Sequence, residues 1–194
     1  MTVRLTLVCA PAAAERDVRF GEVPLDARAL RQAGEVAALL PRASLRYSAP
    51  SDRCESTVRA FQWDVVTVEP ALRDMDMGRW AGRTLGEVAE REGDGLAAWM
   101  SDPEAVPHGG ESVSQVCDRV AVWLDGLPAD AGRVLAVADQ SVVRATVVSA
   151  LGVPRALFWR IDVPPLAAVH LTGRNGRWNL RMGALSAVPD WEES

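Results

Sequence analysis

The sequence predicts an α/β fold, a three-layer α/β/α sandwich around a mostly parallel central sheet. Strand-like and helix-like stretches alternate along the chain. The run Leu5 to Cys9 is short and apolar, as suits a central strand buried on both faces. A length of 194 residues fits one domain, here spanning 1–194, that buries a sizeable core without staples.

The elements follow in order. Asp26 can cap a helix reaching Leu40, with Leu30, Ala33, Ala37 and Leu40 at helical spacing and Pro41 as the stop. Leu45 to Ser48 reads as a second strand, Asp52 to Phe61 as a helix and Val65 to Val68 as a third strand. The next stretch, at about 70–130, is too long for a loop and must be a helical insertion. Within it, Thr84-x-x-Glu87 and Ser112-x-x-Gln115 are capping boxes, which satisfy the orphan N–H groups of a helix start. The second box opens a helix with Val113, Val116, Val120, Trp123 and Leu127 on one face. Val134 to Val137 is a fourth strand, and Val142 to Leu151 a helix closed by Gly152 and Pro154. Ala167 to Thr172 and Arg177 to Arg181 flank the Gly173-Arg174-Asn175-Gly176 turn as an antiparallel edge hairpin. Asp190 to Ser194 reads as a loose tail.

Composition narrows the function classes. Net charge is −5 with no basic run, which argues against nucleic acid or an anionic membrane as partner. No apolar stretch approaches a membrane span, and no signal-like segment precedes the first strand, so a cytoplasmic location is expected. Cys9, Cys54 and Cys117 lack any CxxC spacing and read as reduced, buried thiols. No metal-ligand set or cofactor motif is evident. The expected partner is a small-molecule ligand or another protein, with a homodimer left open.

In parallel α/β sheets, ligands sit beyond the carboxyl ends of the strands. Cys9-Ala10-Pro11 and Ala138-Asp139-Gln140-Ser141 both lie at such ends. With Ser48-Ala49-Pro50-Ser51-Asp52-Arg53 and Pro107-His108-Gly109-Gly110-Glu111-Ser112, they resemble the histidine phosphatase superfamily, the phosphoglycerate-mutase-like proteins. The most specific match is Leu72-Arg73-Asp74-Met75-Asp76-Met77-Gly78-Arg79-Trp80-Ala81-Gly82-Arg83-Thr84, close to that family's Leu-x-Glu-x-Asp-x-Gly-x-Trp-x-Gly-x-Thr block. The resemblance implies that Arg53 is the phosphate-clamping arginine, whose planar fork can hold two oxygens at once. It puts Asp74 where relatives carry the glutamate that protonates the leaving oxygen, here one methylene shorter. His108, Gly110 and Glu111 fall at the implied pocket rim, with Cys9, Ala10 and Gln140 at the strand ends. Asp76, Gly78, Trp80 and Gly82 suit turn and packing roles, and His170 a packed strand position. Trp80 is expected near enough to the pocket to report ligand binding.

The resemblance also marks a departure. The family's first strand runs into Arg-His-Gly, with the histidine as nucleophile, and its later strand into Ser-His-Gly. Those two stations hold Ala10 and Asp139 here, and Cys9 replaces the first arginine. A methyl group cannot accept a phosphoryl group. A carboxylate about 4 Å from phosphate repels it by roughly 4 kcal/mol at an effective dielectric near 20. Asp139 is therefore expected to pair with Arg53 and occupy its fork. Three readings stay open: a pseudophosphatase binding a small ligand or partner; a repurposed enzyme using Asp139 and Asp74 as acid and base, with Arg53 as anchor; and residual phosphatase activity on a phosphorylated metabolite.

Overall fold

The computed structural model describes residues 2–12 and 18–182. The tail expected at Asp190 to Ser194 lies outside the described residues. Six strands form one mixed sheet in the order β3-β2-β4-β1-β5-β6: β1 (Val3–Cys9), β2 (Leu45–Ser48), β3 (Thr67–Val68), β4 (Arg133–Ala138), β5 (Ala168–Arg174) and β6 (Arg177–Arg181). β1, β4, β2 and β3 pair in parallel, and β5 and β6 add antiparallel to β1. From Leu5 to Cys9 and from Val134 to Ala138 every residue is buried, because helices cover both faces of the sheet. The helices are α1 (Ala27–Ala37), α2 (Asp52–Ala60), α3 (Leu85–Ser101), α4 (Val113–Asp125) and α5 (Gln140–Leu151), with α1 packed on α2 and α4 on α5.

Local chemistry sets the element ends. The Asp26 carboxylate accepts from Ala29 N at 2.7 Å and starts α1, which stops at Ala37, three residues short of the expected Leu40. Thr84 and Ser112 each complete a reciprocal capping box at the starts of α3 and α4. Gly152 closes α5 in the left-handed region at φ 60°, a conformation glycine adopts without a Cβ penalty. The edge hairpin turns through Asn175 and Gly176, both at positive φ, as a tight two-residue turn requires.

The third strand is shorter than the expected Val65 to Val68. Only Thr67 and Val68 pair with β2, while Val65 is 76% exposed at the sheet edge. α5 begins at Gln140, two residues before the expected Val142, because Asp139 already takes N-cap backbone geometry.

Within the 70–130 stretch, two glycines interlock a pair of turns. A Cβ on Gly110 would lie 2.1 Å from the Asp76 carbonyl oxygen, and one on Gly78 would lie 2.2 Å from that of His108. This close approach lets Glu111 N donate to Asp76 O at 2.8 Å and Arg79 N donate to His108 O at 3.0 Å. Trp80 is fully buried against this clamp, its indole N–H donating to Glu92 at 3.0 Å. Gly110→Ala should therefore lower stability by roughly 1–3 kcal/mol through overpacking. Gly93→Ala, where an added Cβ meets nothing within 4 Å, should be neutral or stabilising by up to about 1 kcal/mol. Denaturant midpoints of the two variants test the contrast.

Candidate functional site

Parallel pairing of β1, β4 and β2 brings their carboxyl ends to one edge of the sheet. The ladder aligns Cys9 with Ala138 and Ser48 with Val137, and Ala10 N donates to Ala138 O at 2.9 Å just past it. Beyond β2, the Ser51 hydroxyl caps α2 by accepting from Cys54 N, which places Arg53 in the helix's first turn. Beyond β4 come Asp139 and the start of α5. Between these ends lies a cavity of about 560 Å³ lined by Cys9, Ala10, Arg53, Asp74, Asp139 and Gln140.

The cavity floor is an ion-pair cluster. Arg53 Nε donates to Asp139 Oδ1 at 2.7 Å, and Arg53 Nη2 reaches Asp74 Oδ2 at 3.5 Å. The Asp139 side chain is 1% exposed, and its second oxygen accepts from the Cys54 thiol at 3.6 Å. Although Asp139 stands at the N-cap of α5, its side chain makes no capping bond. Asp74 is half-buried, and its Oδ1 accepts from Met75 N at 2.8 Å and from the Ser141 hydroxyl. Loss of solvent and then the nearby Asp139 charge push the Asp74 carboxyl up to about 6, against the pull of Ser141 and Arg53. Burial, with Asp139 second, pushes the Cys9 thiol up to about 12, so it stays protonated at neutral pH and is no thiolate nucleophile.

Three residues expected at the pocket rim lie outside the cavity lining. His108 is 1% exposed, packs 5.1 Å from the Trp80 ring and 6.2 Å from Trp99, and accepts from Gly110 N at 3.0 Å. Burial pushes its pKa down, which favours the neutral ring. Glu111 is clamped by Arg119 at 2.7 and 2.8 Å and by Arg73 at 2.9 Å. Gly110 belongs to the clamp with Asp76. The physical reason is common to all three: the glycine turn interlocks with residues 76–79, and aromatic packing draws the imidazole inward. Trp80 is likewise buried behind the site, and Trp99 and Trp159 line the cavity in its stead. His170 sits within β5 and bonds Thr6 through Nδ1 at 3.1 Å.

Sequence reasoning did not single out Ser141, Arg144, Phe20, Trp99, Met100 or Trp159 as lining residues. Ser141 and Arg144 had a usable signal, since both follow Asp139 on the first turns of α5. Arg144 stacks 5.4 Å from the Trp159 ring and donates to Ile161 O and to Gln140 Oε1. The Gln140 amide donates to Val163 O at 2.6 Å, so both ends of that side chain are engaged. Among the described residues no cluster of His, Cys, Asp and Glu could hold a metal ion, and no helix is long and apolar enough to cross a membrane.

Comparison with known proteins gives the family and the fold. The profile of the histidine phosphatase superfamily (branch 1) matches residues 12–184. The chain belongs to that superfamily. A phosphoserine phosphatase of Hydrogenobacter thermophilus is 29% identical over 161 residues, covering 77% of this chain and 76% of that protein. A bifunctional protein of Mycobacterium tuberculosis is 37% identical over 97 residues, 46% of this chain, and the match spans only 26% of that protein's length. Among solved structures, the α-ribazole phosphatase of Shigella flexneri superposes with a TM-score of 0.82 at 22% identity, covering 95% of this chain and 98% of that one. A mycobacterial glucosyl-3-phosphoglycerate phosphatase gives a TM-score of 0.79 at 23% identity, over 93% and 97% of the two chains. At these identities the structural likeness establishes the histidine phosphatase fold.

Two outcomes follow from the cluster. Arg53→Ala strands Asp139 as a buried, unpaired charge and should cost about 3 kcal/mol of stability. Adding Asp139→Ala to it should recover part of that loss, measured by a double-mutant cycle. For Asp74, the folded-state pKa lies above the ordinary value of 3.8, so the folded protein holds more protons between the two values and stability falls as pH rises through that window. Asp74→Asn should therefore gain stability relative to the parent as pH climbs from about 4 to about 6, hold that gain above it, and lose it at low pH. Parallel unfolding curves across pH check the sign.

Proposed function

We propose that this histidine phosphatase family member is a pseudophosphatase: it forms no phosphohistidine, and its cavity binds a small ligand. The observation that carries this is the pairing of Arg53 with Asp139 at 2.7 Å, with Asp74 as a second, looser neighbour at 3.5 Å. The resemblance assigns that guanidinium to phosphate, and here its fork is engaged within the protein. Ala10 supports the same reading, because the station the resemblance gives to the nucleophile carries only a methyl group at the end of β1. The buried Cys9 thiol offers no replacement.

One observation favours a second reading, a repurposed acid–base enzyme. Asp74 faces the cavity with its carboxyl raised to about 6, close to the operating range of a general acid or base. Asp139 stays tied to Arg53, so the two carboxyls occupy unlike environments, as divided acid and base roles require. Turnover that disappears in Asp74→Asn while the fold stays intact would select this reading.

Hydrolysis of an aryl phosphate, followed from about pH 4 to about pH 9, tests the pseudophosphatase reading against the phosphatase activities named for the relatives. The expected outcome is no turnover above an Arg53→Ala control whose fold is verified by circular dichroism. Asp139→Asn removes a repelling charge and should tighten inorganic phosphate binding by roughly tenfold or more in calorimetry, with turnover still absent. Hydrolysis in the parent that vanishes in Arg53→Ala would overturn the reading, because a substitute nucleophile would then exist.

A further inference from the structure

Three arginines and two aspartates line the cavity, but on its floor the two carboxylates share one arginine. Arg19 is exposed at the rim, where it faces Glu87. Arg144 is held over Trp159 and faces Asp162. Arg53 is claimed first by Asp139, at 2.7 Å. Asp74 is the carboxylate left over, and its oxygens differ. Oδ1 is taken by Met75 N and Ser141, whereas Oδ2 has only the 3.5 Å contact with Arg53, at the outer limit of a hydrogen bond. Oδ2 therefore has acceptor capacity for a donor arriving from the cavity.

Apart from Arg19, Gln140, Ser141 and Arg144, the rest of the cavity lining is apolar. Val18, Leu85 and Met100 line it while remaining 70%, 38% and 54% exposed, an unusual cost for three large side chains at one opening. Phe20 and Trp99 stand among the lining residues, with their rings 5.7 Å apart and edge-on. An apolar mouth over a floor with one surplus carboxylate complements a molecule with an apolar body and a cationic end.

We propose that the cavity takes a small primary amine with an aromatic or aliphatic body, its ammonium on Asp74 Oδ2 and its body against Phe20, Trp99 and Met100. This rests on the reading that the cavity binds a ligand other than a phosphate ester. An ammonium donates to a carboxylate in a charge-assisted hydrogen bond, about twice as strong as a neutral one. Aromatic rings beside it add attraction for the cation. A phosphate ester in the same orientation would set its charge against Asp74 and Asp139 together.

The test is calorimetry with four probes that share one phenyl body: 2-phenylethylamine, 2-phenylethanol, 3-phenylpropionate and phenyl phosphate. The amine should bind roughly tenfold or more tightly than the alcohol, and both anions more weakly than the alcohol. Asp74→Asn should bring the amine down to the affinity of the alcohol and leave the alcohol unchanged. Met100→Ser, at the mouth, should weaken amine and alcohol by a similar factor, which keeps the test intact if Asp74→Asn fails to fold. An amine that binds no better than the alcohol, or no binding by any probe, overturns the inference; with phenyl phosphate equally weak, the pseudophosphatase reading survives it. Phenyl phosphate as the tightest probe overturns both.

Discussion

Strand β4 hydrogen-bonds to β1 on one side and to β2 on the other, and that double parallel pairing fixes where the chain's chemistry can occur. Each strand delivers its carboxyl end to the same edge. The residues that follow, Ala10, Arg53 and Asp139, need no further device to meet. A slip of one residue would move every β4 side chain to the opposite face of the sheet, and since Val134 to Ala138 are buried on both faces each would meet the wrong packing partners. The sheet register thus specifies the cavity floor as firmly as it specifies the core.

Behind the floor, a second layer holds Asp74 in place. Arg119 reaches from α4 to the carbonyl oxygens of Ala71 and Asp74 while its guanidinium also grips Glu111. The loop that carries Asp74 is therefore tied to the start of α4, and the glycine clamp ties it again through Asp76 and Gly110. Residues that look rim-like in the sequence serve here as anchors for the loop that reaches the cavity.

Much of the fold was legible because its signals are local. Both capping boxes, the Asn175-Gly176 turn and the Gly152 stop act within a few residues of themselves. β3 was overread because its apolar run continues past the short segment that finds a partner. The sequence pointed to three residues that share the cavity: Asp139 from its place after β4, Arg53 from the helix start after β2, and Asp74 from the Leu72–Thr84 block. His108 differs: its neighbours in sequence suggest a rim, whereas its neighbours in space are Trp80 and Trp99. Aromatic packing between distant segments leaves no periodic trace. The lining by Trp99 and Trp159, brought together from α3 and the 155–160 segment with ring centroids 4.2 Å apart, was invisible for the same reason.

Asp139 has two addresses available to it. As the N-cap residue of α5 it could accept from backbone N–H groups two or three positions ahead, a bond within reach of an isolated peptide. In the finished protein it makes instead a contact across 86 positions of sequence, to Arg53. Contacts of such separation come at the end of chain organisation, after loop closure has been met by other pairings. The start of α5 thus gives up its own side-chain cap to a contact with α2, and that end of the helix is held by the cavity floor rather than by itself.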